Sequence, residues 1–121
     1  VYKRQDLQTS PLCSKETALE YMGGDESLFA DIVSAFCGEF PQLLEQIQDA
    51  LDRRDGKLLC RAAHTLAGVC RTMGAPSVAG LAQRLEELGE SNDFDGGVQI
   101  RHQLESSLKQ MQQELTSTRS G

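Results

Sequence analysis

One apolar series, which begins after Asp25, most constrains the fold of this chain. Its large side chains recur at intervals of three and four residues over about six helical turns, a spacing that places them on one face of an α-helix. Its members are Leu28, Phe29, Ile32, Val33, Phe36, Phe40, Leu43, Leu44, Ile47 and Leu51. Pro41 interrupts the series, so we expect a kink or a short break near residues 38–41. The series predicts a long amphipathic helix whose apolar face needs partner helices to cover it.

Capping residues and glycines divide the rest of the chain into further helices. A short helix is predicted after Ser14 and ends at Gly23 and Gly24. The following segments are a helix over about residues 57–73, a helix from Pro76 that ends at Gly89, a polar loop over 90–97, and a last helix with Ile100, Leu104, Leu108, Met111 and Leu115. Because short connections make successive helices pack antiparallel, we predict an all-α, antiparallel up-down four-helix bundle with a short additional N-terminal helix.

Length and composition fit one helical domain. The chain has 121 residues, of which 39% are hydrophobic, enough for a single modest core. We assign residues 1–12 to a linker or disordered arm, 13–116 to the bundle and 117–121 to a frayed tail. The chain begins with Val1 rather than Met, so we expect a segment of a longer protein.

The net charge of −6 makes nucleic acid and anionic membrane surfaces unfavourable partners, because both attract basic faces. No segment is long and apolar enough to span a bilayer, and no signal peptide is visible. These features predict a cytoplasmic domain without membrane contact.

The four cysteines show no CxxC spacing, and three of them fall in predicted helices where a small apolar side chain fits. They are Cys13, Cys37, Cys60 and Cys70. We interpret them as reduced, structural thiols. A zinc site built on Cys60 and His64, one helical turn apart, is an alternative that needs two more ligands.

His64 carries the most informative chemistry of the chain. The apolar stripe of its predicted helix consists of Leu58, Ala62, Leu66, Val69 and Met73. His64 lies about 200° from the middle of this stripe and is therefore predicted to face outward. Ala67 and Gly68, its neighbours one turn on, are too small to screen the ring, although glycine inside a helix costs about 1 kcal/mol relative to alanine. The pattern indicates reaction or docking at His64, whereas His102 has ordinary polar surroundings.

The segment AHTLAGVCRTMGA, residues 63–75, resembles the signature of histidine phosphotransfer (HPt) domains of multistep two-component phosphorelays. That signature has His-x-Leu-Lys-Gly, then five residues, then Gly-Ala, and the matching residues here are His64, Leu66, Gly68, Gly74 and Ala75. Further similar segments are Phe40-Pro41-x-Leu43-Leu44, Arg54-Asp55, Ala62-Ala63 and Leu81-x-x-x-Leu85-Glu86. The resemblance covers about residues 14–115.

The resemblance implies a phosphocarrier rather than an enzyme. A domain of this family accepts a phosphoryl group from the aspartate of one receiver domain on its histidine, here His64, and passes it to the aspartate of another. It has no nucleotide site and no cofactor of its own, since the receiver supplies Mg²⁺. The implied partners are receiver domains of response regulators or of the same hybrid sensor histidine kinase, and such a kinase is the implied parent chain. We expect a monomer.

The resemblance also assigns roles to individual residues. Glu86 stands 22 residues after His64, where the family often has a Gln or Glu that holds Nδ1 while Nε2 attacks. Ala67 replaces the usual Lys, so Arg71 or Lys57 is expected to offset the phosphoryl charge. Arg71 is favoured because a guanidinium matches phosphate geometry. The helical wheel around His64, rather than the resemblance, gives the residues expected to dock the receiver, which are Cys60, Arg61, Ala67 and Gly68.

Two other functions stay open. The first is a non-catalytic helical docking or dimerisation module with a degenerate site, for which partner binding would not depend on His64. The second is the zinc-binding bundle, which would hold stoichiometric metal.

Overall fold

Side-chain caps start most of the helices in a computed structural model of the chain, which describes the backbone of residues 12–120 and side chains to residue 116. The helices are α1 (Lys15–Tyr21), α2 (Glu26–Arg53), α3 (Gly56–Thr72), α4 (Pro76–Glu90) and α5 (Phe94–Ser120). Caps on the first three helices are Ser14, Asp25 and Asp55, each accepting a hydrogen bond from a backbone N–H of the first turn. The described residues contain no strand, so the predicted all-α class is confirmed.

The helices end where residues adopt left-handed backbone conformations or glycines follow. Arg54 (φ 56°) closes α2, Gly74 (φ 73°) follows α3, and Asn92 (φ 57°) follows α4. α4 has no side-chain cap but begins at Pro76, as predicted. Of the predicted arm, residues 1–11 lie outside the described residues. The α5 backbone is helical to Ser120, while the side chains of the predicted tail, residues 117–121, also lie outside the description.

The four longer helices enclose an apolar core. α2 packs against α3, α3 against α4 and α4 against α5, and α5 returns to α2, while α1 lies against α2 and α3. Large side chains that are fully buried include Phe36, Ile47, Leu59, Leu66, Met73, Leu85, Leu104, Leu108 and Met111. Since no polar or charged residue is buried among residues 12–116, the polar chemistry of this part of the chain lies at the surface.

Two predictions about the helices need correction. α2 runs through Pro41 without the break we expected, and Pro41 lies exposed on its surface. The predicted loop over 90–97 is shorter, because α5 already begins at Phe94, where Asp93 accepts a hydrogen bond from Gly96 N at 3.0 Å. Gly97 is buried within this helix, and a Cβ there would lie 2.7 Å from a Leu51 methyl group. α5 therefore approaches α2 so closely at Gly97 that only a glycine fits there. The sequence alone placed this residue in a loop.

Glu114 on α5 holds the segment that leads into α1. Its carboxylate accepts hydrogen bonds from Leu12 N at 2.9 and 3.0 Å and from Cys13 N at 3.1 Å, and a further one from Gln110 Nε2 at 2.9 Å. Burial raises the pKa of Glu114, but the hydrogen bonds from Leu12, Gln110 and Cys13 outweigh it and hold the pKa below its ordinary value of 4.5. Charge-assisted hydrogen bonds to the Glu114 carboxylate thus attach the segment before α1 to α5.

None of the helices in the described part of the chain is long and apolar enough to cross a membrane.

Candidate functional site

His64 lies on the outer face of α3, as predicted. Its side chain is 73% exposed, although it sits in the middle of a helix whose opposite face is packed in the core. An imidazole in this position can enter the active site of a partner protein, because its own domain does not cover it.

The Glu86 carboxylate contacts one nitrogen of the His64 ring. Glu86 Oε2 lies 3.1 Å from His64 Nδ1, and the Glu86 side chain is 27% exposed at the flank of α4. A carboxylate only accepts hydrogen bonds, so the neutral ring meets it with the proton on Nδ1. That tautomer leaves the lone pair on Nε2, the nitrogen that this contact does not occupy. The structure therefore brings together the two residues that the sequence paired.

Cys60 connects the same two helices beside this contact. Its thiol donates a hydrogen bond to the backbone carbonyl of Glu86 at 3.2 Å. Burial, followed by the nearby carboxylates of Glu90 and Glu86, raises the pKa of this thiol, so it stays protonated and able to donate. Cys60 is half-buried and was predicted to dock a receiver; the structure places it beside Glu86.

His64 stands at an open groove of about 1080 Å³ between the start of α3 and the end of α4. The charged residues that line the groove are Arg53, Arg54, Asp55, Lys57, Arg61, Glu86 and Glu90. Asp55 is already committed to capping α3, and Glu86 to the His64 contact. The groove therefore offers a partner several cations close to His64, within a domain that is acidic overall.

Ala67 and Gly68, the two small residues one turn after His64 on α3, have different surroundings. Gly68 is exposed, and a Cβ built there would meet nothing within 4 Å, so the surface next to His64 is open as predicted. Ala67 is only 1% exposed and belongs to the core, which contradicts its predicted place on the docking surface. The buried face of α3 consists of Leu59, Ala62, Ala63, Leu66, Ala67 and Cys70. Leu58 and Val69, which we placed in the apolar stripe, are only partly buried at its edges.

The two cations predicted to support a phosphoryl group lie in different places. The Arg71 guanidinium donates a hydrogen bond to Gln83 Oε1 at 3.1 Å, and Arg71 lines a separate, smaller concavity together with Tyr21. Lys57 lines the groove at His64. Arg61 lines it too, and it lies only one helical turn before His64.

Sequence reasoning missed several residues of the groove. Arg53 and Arg54 come from the end of α2, and Asn92 from the connection between α4 and α5. They line the groove only because the helix ends pack together, and the one local signal among them is the motif-like Arg54-Asp55 pair.

In the described part of the chain, no group of three or more His, Cys, Asp or Glu side chains is placed to hold a metal ion. The zinc alternative built on Cys60 and His64 therefore finds no further ligands there.

Comparisons with known proteins give two matches. Residues 31–117 match the family model of the Hpt domain. Among solved structures, the chain is similar to the crystal structure of histidine-containing phosphotransfer protein B (HptB) from Pseudomonas aeruginosa PAO1. The TM-score is 0.84 at 20% sequence identity, and the match covers 92% of this chain and 96% of that one. At this identity the second match concerns the fold. No curated protein matches the chain.

Proposed function

This chain belongs to the Hpt domain family, and we propose that it serves a phosphorelay by accepting a phosphoryl group from a receiver-domain aspartate on His64 and passing it to another. The observation that carries the proposal is the geometry of the ring. His64 is 73% exposed, and its Nδ1 lies 3.1 Å from a carboxylate, so Nε2 has both access and a lone pair. The role is that of a phosphocarrier, in which the partner provides the acidic catalytic pocket.

The transfer step follows from this tautomer. The Nε2 lone pair of His64 attacks phosphorus, and an N–P bond forms as the acyl-phosphate P–O bond of the receiver breaks. The electron pair of that bond leaves with the aspartate carboxylate. The ring, which keeps its proton on Nδ1, gains positive charge, and the Glu86 carboxylate offsets that charge. Transfer to a second receiver reverses these changes.

Charge on the phosphoryl oxygens needs cations nearby. We assign this support to Arg61 and Lys57, because both line the groove at His64. Arg71 is less suited, since its guanidinium is held by Gln83 and it lines a separate concavity. We propose that Mg²⁺ bound by the receiver supplies the remaining neutralisation, so that the domain needs no cofactor of its own.

The cations of the groove also favour a receiver as partner, because the active site of a receiver is acidic. We propose that receiver domains dock over Gly68 and the groove, and that the domain does so as a monomer from within a hybrid sensor kinase. Receivers of separate response regulators would use the same docking surface and the same transfer step as a receiver within the kinase.

We infer that α2 to α5 form an antiparallel up-down bundle. Contacts between helix pairs support this arrangement: Arg101 on α5 donates to the Leu44 carbonyl on α2, while Gly97, a turn earlier on α5, meets Leu51, further along α2. Connections of only two or three residues also precede α3, α4 and α5.

The proposal is tested by phosphoryl transfer from receiver domains charged with radiolabelled acetyl phosphate. We expect an acid-labile, base-stable label on the wild-type domain and on His102→Gln, the matched control at the chain's other histidine. His64→Gln should take up no label. A label of wild-type intensity on His64→Gln contradicts the assignment. Receiver binding that is unchanged by His64→Gln, with no label on any variant, indicates a docking module instead.

A further inference from the structure

α3 and α4 touch each other through backbone atoms at one point near the site. A Cβ on Gly56 would lie 2.6 Å from the carbonyl oxygen of Gly89 and 2.5 Å from Asn92 Oδ1. A Cβ on Gly89 would lie 3.0 Å from the carbonyl oxygen of Gly56 and 3.1 Å from Cys60 N. Side chains larger than hydrogen therefore force the two helices apart at this crossing.

The crossing lies one helical turn from the candidate site on α4 and about two turns from it on α3. Along α3 the order is Gly56, Cys60 and His64, while the residues they meet on α4 are Gly89 and then Glu86. Between crossing and site, the Cys60 thiol donates to the Glu86 carbonyl at 3.2 Å. The Glu86 carboxylate then meets His64 Nδ1 at 3.1 Å. A change in helix spacing at the glycines thus reaches the ring through Cys60, which lies one turn from Gly56 and one turn from His64, and through Glu86.

We propose that Gly56 and Gly89 are positioning residues for phosphotransfer: their contact sets the α3–α4 spacing at which the Glu86 carboxylate reaches His64 Nδ1. The inference rests on the proposed function of His64 and adds the helix contact that holds Glu86 next to the ring. Hydrogen-bond range is narrow, so a separation of a few tenths of an ångström weakens a 3.1 Å contact.

The chain supplies a matched control for this proposal on α4. Gly80 lies in the same helix as Gly89, but a Cβ there meets nothing within 4 Å. Gly80→Ala therefore makes the same chemical change as Gly89→Ala without spreading the helices.

The first test measures the His64 tautomer by nitrogen NMR at alkaline pH, where the ring is neutral. In the wild type and in Gly80→Ala we expect the proton on Nδ1. In Gly56→Ala the population should shift towards the Nε2–H tautomer, as in Glu86→Ala, where the acceptor is absent. Gly89→Ala, with a milder contact of 3.0 Å, should shift it less, and it is the variant to use if Gly56→Ala does not fold. A folded Gly56→Ala or Gly89→Ala with the wild-type tautomer overturns the proposal.

The second test is a double-mutant cycle on the rate of transfer from a phosphorylated receiver. Gly56→Ala should slow transfer about tenfold, the cost of a misplaced catalytic group. In a Glu86→Ala background the same substitution should add no further loss, because the residue acts through Glu86. Equal losses in both backgrounds show that the glycine acts by another route and overturn the proposal. The tautomer measurement needs no receiver, so it stands even if the wild type accepts no phosphoryl group and the proposed function fails.

Discussion

The contact between His64 Nδ1 and the Glu86 carboxylate gives the two nitrogens of one ring different tasks. Nδ1 is held at 3.1 Å by a residue of the neighbouring helix, which leaves the lone pair on Nε2. In the proposed transfer, Nε2 is the nucleophile, and Glu86 compensates the positive charge that the ring gains on phosphorylation. Orientation and charge are separable, because a glutamine in this place keeps an acceptor oxygen and lacks the charge.

Substitutions at Glu86 separate these two effects. Glu86→Ala should slow phosphotransfer about tenfold, because no acceptor then fixes the ring. Glu86→Gln should recover most of that loss if orientation dominates. Transfer rates from a phosphorylated receiver measure both, with Glu87→Ala, an exposed neighbour on the same helix, as the control. Equal rates for Glu86→Ala and Glu87→Ala contradict a role for Glu86.

Gly68 should matter for docking and not for folding. Gly68→Glu places a bulky, charged side chain in the open space beside His64, so we expect receiver binding to weaken by about tenfold or more. The free energy of unfolding should stay at least as high as in the wild type, since glycine is the poorer helix former. Titration with a receiver domain measures the binding. Gly38→Glu on α2, another exposed glycine with open space, should bind normally, and equal weakening by both variants argues against docking at Gly68.

Single residues show what sequence reasoning could and could not reach. His64 and Glu86 were predictable because a motif and a fixed spacing mark them. Ala67 was misplaced because the predicted stripe left out Leu59, Ala63 and Cys70, which α3 buries, and was therefore centred on the wrong angle. Arg61 was predicted to dock receivers, and the structure places it in the same groove as Lys57.

At the scale of the helices, the two glycines of the motif differ in their surroundings. Gly68 lies exposed in open space, whereas Gly74 is buried after α3 with φ of 73°. A Cβ on Gly74 would collide with the Ser14 carbonyl, and the Gly74 carbonyl accepts a hydrogen bond from Ser14 N at 2.9 Å. Gly74 thus joins the end of α3 to the start of α1.

Gly74→Ala should lower the free energy of unfolding by at least about 1 kcal/mol, because alanine is strained at this φ and because its methyl group meets Ser14. Gly80→Ala, in open space within α4, should raise it by up to about 1 kcal/mol. Urea unfolding of both variants measures the difference. A Gly74→Ala variant as stable as the wild type contradicts this account of the helix junction.

Most helix boundaries followed from caps and glycines, since these are local signals. The exceptions depend on contacts between distant parts of the chain. Gly89 was predicted to end a helix and Gly97 to lie in a loop, but both lie inside helices, where neighbouring helices pack against them. At Pro41 the cost of one missing hydrogen bond did not break α2, whose apolar face is buried on both sides of the proline.

At the scale of the whole molecule, Glu114 on α5 connects residues 12 and 13, which precede α1, to the last helix. Its pKa in the folded state lies below the ordinary value of 4.5, so the ionised carboxylate stabilises the fold above that pH. This stabilisation is lost as pH falls below 4.5 and through the folded-state pKa. Acid should therefore loosen the attachment of residues 12 and 13 to α5.

Glu114→Gln tests this attachment. We expect the variant to unfold at lower urea than the wild type at neutral pH, because glutamine lacks the charge that strengthens these hydrogen bonds. The difference should shrink as pH falls from 4.5, since the wild-type carboxylate then becomes neutral too. Urea unfolding at several pH values measures it. A difference that stays constant down to the lowest pH shows that the Glu114 charge does not stabilise the fold.

The all-helical class and the approximate helix positions were within reach of the sequence, because periodicity and caps act locally. The groove at His64 was not, since residues of α2, α3, α4 and the connection after α4 meet there only through packing. The same holds for the glycine crossing at Gly56 and Gly89, which no periodic pattern indicates.

The most direct measurement of the central claim is phosphorus–nitrogen NMR of the domain with isotopically labelled histidine rings, after phosphorylation by a receiver. We predict a phosphoryl group bonded to Nε2 of His64, with the proton on Nδ1 and its signal sensitive to Glu86→Ala. A phosphoryl group on Nδ1 of His64, on His102 or on another side chain would contradict the account.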